Sequence, residues 1–337
     1  MFAHCSIPNR WRANRYFLLG SYAFIAFFLT AAEAAAADKL RISYASVTGN
    51  TVVISYIAER AKLFEKYGLD VEHILITGGP ASISALLNND VDMDLRAPIA
   101  AIQAMSRGLK LTFLLSQSNV LEYDVVTRPE IKEIKQLKGK RVGIIRYGGI
   151  SELMVRYLFD KLGLDADKDI TIIQAGQARL VAMEKGAFEA TVLSTAETAY
   201  AKKLGFRVVD MPALPFFGST IVTTPNIAAK KSDALVRYLR GYLDGVRFFL
   251  SDKERSSQYL ADLLRSRDRE MIELAYKSHP QHVMGKKPYP DMKAVQATLD
   301  IMSPREPLVK KLKSDELFNL TFLRQLDQNG FIDQLYK

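Results

Sequence analysis

Five short segments of this chain combine glycine with small polar residues in a way that suits the binding of an anion. They are Thr48-Gly49-Asn50-Thr51, Gly78-Gly79-Pro80-Ala81-Ser82, Arg96-Ala97-Pro98, Tyr147-Gly148-Gly149-Ile150-Ser151 and Ser194-Thr195-Ala196. Each follows a strand-like run and opens a helix-like one, so unpaired amides and the positive end of a helix dipole meet there. Glycine admits close approach to the backbone, hydroxyls give orientable hydrogen bonds, and Arg96 offers a full countercharge. The same residue types cap helices whatever the function; their recurrence in turn after turn is what favours a ligand. The candidates are Thr48, Asn50, Gly79, Ser82, Arg96, Tyr147, Gly149, Ser151 and Ser194. Arg96 has a second reading, as the partner of Asp92 or Asp94 at the surface. Tyr147 also has two: a platform for a flat ligand, or a cover over a hinge. Glu152 and Glu197 would answer a cationic group or sit as solvated helix termini.

Other chemistry is poorly supplied. His279 and His282 form His-x-x-His, but no nearby carboxylate or thiol completes a metal set. The Gly-rich stretch from Gly143 to Gly149 lacks the Lys-Ser or Lys-Thr of a phosphate-binding loop. The one cysteine, Cys5, precedes the apolar run near the amino end, which excludes a cysteine nucleophile and disulfides in the remainder. No metal, cofactor or catalytic residue is expected.

The elements that must position these turns alternate from about residue 40 to 209. Strand-like runs are expected at 40–46, 71–77, 91–95 and 111–117, then at 141–146, 170–174, 190–194 and 207–210. Between them apolar residues recur at helical spacing over 51–67, 80–88, 99–107, 151–162, 178–185 and 197–204. Several of these helices stop at a glycine: Gly68, Gly108, Gly163, Gly186 or Gly205. Alternation of this kind predicts parallel-rich α/β sheets flanked by helices. Residues 122–140 read as an extended piece plus a turn, and 211–218, with Pro212 and Pro215, as a break. Beyond residue 228 amphipathic helices are expected at 233–250, 256–265, 269–278, 292–302 and 316–334. Leu235, Leu239, Tyr242 and Val246 form the core-facing stripe of the first.

With 337 residues, 48% of them hydrophobic, the chain exceeds what one core usually supports. The expected plan is two lobes, 38–121 with 223–337 and 122–222, joined by two extended crossings near 121–127 and 211–222. The net charge of +9 comes from basic residues dispersed among acids, which argues against a nucleic-acid partner. At the amino end, Arg10, Arg12 and Arg15 precede an apolar run from Tyr16 to Thr30, followed by an Ala-rich tract ending at Ala37. A basic patch, a short apolar stretch and small residues are the parts of a secretory signal peptide, here residues 1–37 with cleavage after Ala37. Export without a lipid-carrying cysteine points to the periplasm.

The order of several phrases resembles a known family. Ala45-Ser46-Val47-Thr48-Gly49-Asn50 is followed by Leu63-Phe64-Glu65-Lys66-Tyr67-Gly68-Leu69-Asp70-Val71-Glu72, and then by Ala85-Leu86-Leu87 running into Val91-Asp92-Met93. Leu137-Lys138-Gly139-Lys140-Arg141-Val142-Gly143 and Ala187-Phe188-Glu189-Ala190 complete the set. Together they resemble the substrate-binding proteins of nitrate, sulfonate, taurine and thiamine-pyrimidine-precursor ABC transporters. Two departures stand out: Asn88-Asn89-Asp90 replaces a usual glycine, and Arg146-Tyr147-Gly148-Gly149 replaces a small polar turn. The resemblance implies a type II periplasmic binding protein architecture, a monomer that closes on a small molecule, and an inner-membrane ABC permease as partner. An anion such as a sulfonate, a nitrate-like ion or a carboxylate is the first expectation for the ligand; a flat pyrimidine is the second. Two other functions are weighed: a sensor domain for a receptor kinase, and the family's pyrimidine-forming enzyme, which needs His and Cys side chains that this chain scarcely has.

Overall fold

The computed structural model describes residues 37–47, 50–121, 123–209, 214–282 and 286–337, with Met1, and only the backbone at 50, 195, 196 and 278–282. The predicted leader, Thr48 and part of the second predicted crossing therefore lie outside the described residues. Residues 38–337 form one compact unit. Its strands are β1 (Asp38–Tyr44), β2 (Leu69–Leu75), β3 (Met93–Arg96), β4 (Thr112–Val120), β5 (Tyr123–Thr127), β6 (Arg141–Ile144), β7 (Thr171–Gln174), β8 (Ala190–Ser194), β9 (Arg207–Val209) and β10 (Pro215–Thr223). The helices of the alternating region are α1 (Asn50–Arg60), α2 (Leu63–Lys66), α3 (Gly79–Leu87), α4 (Ile99–Ser106), α5 (Ile150–Lys161), α6 (Arg179–Glu184) and α7 (Thr195–Lys203). The carboxy-terminal helices are α8 (Pro225–Lys230), α9 (Ser232–Ser251), α10 (Lys253–Leu264), α11 (Arg269–His282), α12 (Met292–Met302), α13 (Thr321–Gln328) and α14 (Phe331–Gln334).

The strands build two five-stranded sheets, ordered β2-β1-β3-β10-β4 and β7-β6-β8-β5-β9. In the first, β1 runs parallel to β2 and β3, while β10 pairs antiparallel with β3 and β4. The second repeats the plan: β6 is parallel to β7 and β8, and β5 is antiparallel to β8 and β9. The result is a two-lobed α/β architecture. The chain passes from the first sheet to the second between β4 and β5, and β10 lies back in the first.

The helix expected over 51–67 is divided into α1 and α2 at Lys62, which takes φ +59°, and two further segments also differ from the sequence expectation. Residues 215–223, read in part as a break, form the nine-residue strand β10. Pro215 is tolerated because it is the strand's first residue, where its missing N–H disrupts least. The helix expected over 316–334 is divided into a 3₁₀ turn at 314–317, α13 and α14. Gly330 takes φ +75°, a left-handed conformation that stops α13 and lets α14 start in a new direction.

The first core lies where α1 is held between the first sheet and α9. Val52, Val53, Ile54, Ile57 and Ala58 are all buried there, along with Leu235, Leu239, Tyr242 and Val246 of the predicted stripe. Gly241 and Gly245 make this approach possible: a Cβ on either would lie 2.5 Å from the Phe64 ring or 2.8 Å from Ala58 Cβ. α12 sits on the same sheet through Val295, Leu299 and Met302, which share a cluster with Phe113 and Phe217. These layers fix where the strands end. In parallel sheets the turns beyond the carboxyl ends are the places where ligands are met.

Candidate functional site

The amino end of α3 carries no side-chain cap. Gly78 is its N-cap, with extended backbone, and Pro80 occupies the first turn. Ser82 closes the first backbone bond to the Gly78 carbonyl. The amides of Gly79 and Ala81 are left without a partner among the described residues. The helix dipole puts roughly half a positive charge at this end.

Arg96 reaches the same place from the end of β3, whose four residues are all buried. Its Nε donates to Asp94 Oδ2, and its Nη2 donates to the Ile76 carbonyl at 3.3 Å. A Cβ placed on Gly79 would lie 3.9 Å from Arg96 Nη1. Asp94 is fully buried and also accepts from Ser43 Oγ and Ser82 Oγ, each at 2.8 Å. Arg96 and Asp94 thus form a buried pair rather than the surface pair considered from sequence. Ser82 supports that pair: its hydroxyl proton is committed to Asp94, with the Gly79 carbonyl 3.3 Å away.

From the second sheet comes a residue outside the sequence-derived candidates, Arg146. Its side chain runs past Gly149, where a Cβ would stand 3.4 Å from Arg146 Cγ and 3.7 Å from its Nε. Its terminal nitrogens then reach the α3 amino end: Nη1 is 3.4 Å from a Cβ placed on Gly78, and Nη2 is 3.3 Å from one on Gly79. Arg146 is half-buried, and no carboxylate lies within ion-pair distance of it among the described residues. Three sources of positive potential therefore converge on two glycines: Arg96 and the α3 dipole from one sheet, Arg146 from the other. Asp94 offsets Arg96, which leaves Arg146 as the uncompensated full charge. The sequence signal for it was the basic residue in the departing turn Arg146-Tyr147-Gly148-Gly149.

The remaining candidates lie elsewhere in the same two sheets. Ser151 is buried, and its Oγ accepts from the Ile145 amide at 2.9 Å, closing the turn that carries Arg146. Gly149 is the N-cap of α5, and Gly148 before it adopts φ +71°. Tyr147 is exposed, but its hydroxyl donates to the Ile172 carbonyl at 2.9 Å and its amide to Gln174 Oε1 at 3.3 Å. That lays the phenol along the outer strand β7. Ser194 and Glu197 cap α7 reciprocally, and Glu197 also receives Arg179 Nη2 at 2.7 Å. Asn50 opens α1, its side chain outside the described set. Gly79→Ala should lower both stability and binding, because the added Cβ would meet Ala100 Cβ at 2.7 Å and push α3 off α4. A loss of about 1–3 kcal/mol is expected in a urea titration.

One further cluster has the order of a hydrolytic triad. Ser55 Oγ lies 2.7 Å from His73 Nε2, and His73 Nδ1 lies 3.1 Å from Glu59 Oε2. Ser55 is fully buried, however, and its hydroxyl also bonds Tyr238 Oη at 2.8 Å. Burial pushes the Tyr238 phenol well above its ordinary pKa, so it stays neutral. A serine closed in this way meets no substrate; the network satisfies polar groups beneath α1.

Residues 50–256 match the family model described as "NMT1/THI5 like". The chain belongs to this family. As a member of the NMT1/THI5-like family it is 24% identical over 330 residues to the "Putative binding protein YtlA" of Bacillus subtilis (strain 168), covering 92% of this chain and 96% of that one. It is 31% identical over 124 residues to the 4-amino-5-hydroxymethyl-2-methylpyrimidine phosphate synthase of Schizosaccharomyces pombe (strain 972), a match covering 36% of this chain and 35% of the enzyme. Among solved structures, the periplasmic aliphatic sulphonate binding protein SsuA of Escherichia coli aligns with a TM-score of 0.66 at 18% identity, over 85% of this chain and 91% of that one. The chain thus has the periplasmic binding protein fold.

Proposed function

We propose that this protein is an extracytoplasmic solute-binding component that captures a small oxyanion between its lobes and delivers it to an ABC importer. The observation that carries the reading is the meeting of Arg146 from the second sheet with Arg96 and the bare α3 amino end of the first. Without an anion, Arg146 faces the positive end of a helix, so closure brings like charges together. With an anion between them, the same geometry turns attractive. A unit charge about 4 Å from its partner, at an effective dielectric constant near 20, gains about 4 kcal/mol before desolvation. Ligand contacts that exist only in the closed arrangement shift the lobes toward it.

We take the lobes to be residues 38–121 with 215–337, which keeps β10 with the sheet it pairs in, and residues 122–214, hinged where the chain passes between sheets. Residues 1–37 act as a signal peptide; cleavage after Ala37 would free Asp38, which is the first residue of β1. No helix among the described residues is long and apolar enough to cross a membrane. The closed form would then dock on an inner-membrane permease as a monomer. The sulphonate named for the Escherichia coli neighbour favours an oxyanion, and Tyr147, turned onto β7, gives a flat heterocycle no platform at this turn.

The test is a thermal-shift and calorimetric panel of an alkanesulfonate, nitrate, a short carboxylate and 4-amino-5-hydroxymethyl-2-methylpyrimidine. An oxyanion at about 100 times its Kd should stabilise the fold by about 2.7 kcal/mol. A response to the pyrimidine alone would replace the oxyanion reading with the heterocycle one.

A further inference from the structure

A continuous polar chain leads away from the turn that carries Arg146. The Gly148 amide donates to Glu152 Oε2 at 2.6 Å, and Glu152 Oε1 accepts from Arg156 Nε at 2.8 Å and Nη2 at 2.7 Å. Arg156 Nη1 in turn donates to Asp167 Oδ1, and Asp167 Oδ2 accepts from Arg305 Nη2. Four of these five groups belong to the second lobe. Arg305 does not: it follows α12, which is anchored to the first sheet by Thr298 Oγ1 accepting from the Phe217 amide at 2.8 Å. Its neighbour Glu306 is held by Gln103 and Arg107, at the end of α4.

We infer that Arg305 is an interlobe clasp, gripping Asp167 in the closed arrangement and, through Arg156 and Glu152, setting the position of the turn that presents Arg146. This deepens the reading of a closing cleft and rests on it. The Arg305 guanidinium, and then that of Arg156, hold the Asp167 carboxyl below the usual carboxylate range, in keeping with a doubly paired anion. Glu152 and Arg156 side chains are each only 15% exposed, so the inner half of the chain is shielded from water and well fixed. Asp167 and Arg305 are about half exposed, as a contact that must form and release requires. A second bridge works toward the other edge of the second sheet, where α11 packs against α7 and Lys203 pairs with Glu270. Arg305 therefore acts on the β7 side of the second sheet and α11 on the side covered by α7.

The test is a spin-label distance measurement in the ligand-free full chain. Cys5 is the only native cysteine, so Cys5→Ser with Lys110→Cys and Lys185→Cys, both exposed, gives one label on each lobe. Arg305→Ala should lengthen and broaden the distances, Arg305→Lys should restore them in part, and Asp167→Asn should reproduce the Ala result with an unchanged melting midpoint. Raising salt should move the wild-type distances toward those of Arg305→Ala, since exposed pairs are screened. Oxyanion affinity should fall about two- to five-fold, as expected for an exposed pair. Distances in Arg305→Ala and Asp167→Asn that match the wild type would overturn the clasp. Because the distances are read without ligand, a wild-type chain that binds no oxyanion would strike the binding reading alone.

Discussion

Arg146→Ala is expected to weaken oxyanion binding about 10- to 100-fold by calorimetry, the loss of one charged hydrogen-bonding partner worth about 1.5–3 kcal/mol. The ligand-free melting midpoint should hold steady or rise slightly. Arg146 has no ion pair among the described residues to lose, and its removal relieves repulsion at the α3 amino end. Most stabilising contacts in the site belong to Asp94, Ser82 and Ser43, which Arg146 does not touch. Arg146→Lys should recover part of the affinity, because an ammonium keeps the charge but not the forked geometry. If Arg146→Ala binds as tightly as wild type, the anion is held somewhere other than the Gly78–Gly79 turn.

Asp94→Ala is expected to cost the fold about 3–5 kcal/mol, measured as a lowered urea midpoint at constant slope. Asp94 is fully buried and answers three donors, Ser43, Ser82 and Arg96. Its removal strands a guanidinium that is 94% buried at the side chain and leaves the Ser43 and Ser82 hydroxyls only their longer bonds to the Met93 and Gly79 carbonyls. Against a usual stability of about 5–15 kcal/mol this is a large fraction. The double variant Asp94→Ala/Arg96→Ala should recover part of the loss, since no buried charge remains uncompensated. A single variant as stable as wild type would mean that the Asp94–Arg96 pair is not desolvated. Binding should fail in both, because Arg96 is aimed by Asp94.

The pair also marks a boundary between local and long-range information. Asp94 and Arg96 lie two apart on β3, so the alternation of a strand points both to the same face and makes them neighbours. That much was legible, and Asp94 was among the partners considered. Burial was not legible, because it depends on β1 and β10 flanking β3 on either side. Ser82, Ser151 and Ser194 were recognised as turn residues, which their composition supports. Their partners were not legible: Ser82 donates to the Asp94 carboxylate, Ser151 accepts from the Ile145 amide and Ser194 donates to the Glu197 carboxylate.

Taken by itself, the sequence determined most of the alternating strands and helices between residues 40 and 209, the glycine stops between them and the α/β class, because these follow from side-chain periodicity and backbone freedom within a dozen residues. It also placed Gly79, Arg96 and Gly149 in turns at strand ends. Tertiary structure alone decided that Arg146, 67 positions along the chain from Gly79, would end beside it. It also decided that Arg305 would meet Asp167. Such contacts depend on how the two sheets stand against each other, and no periodicity within either one carries that relation.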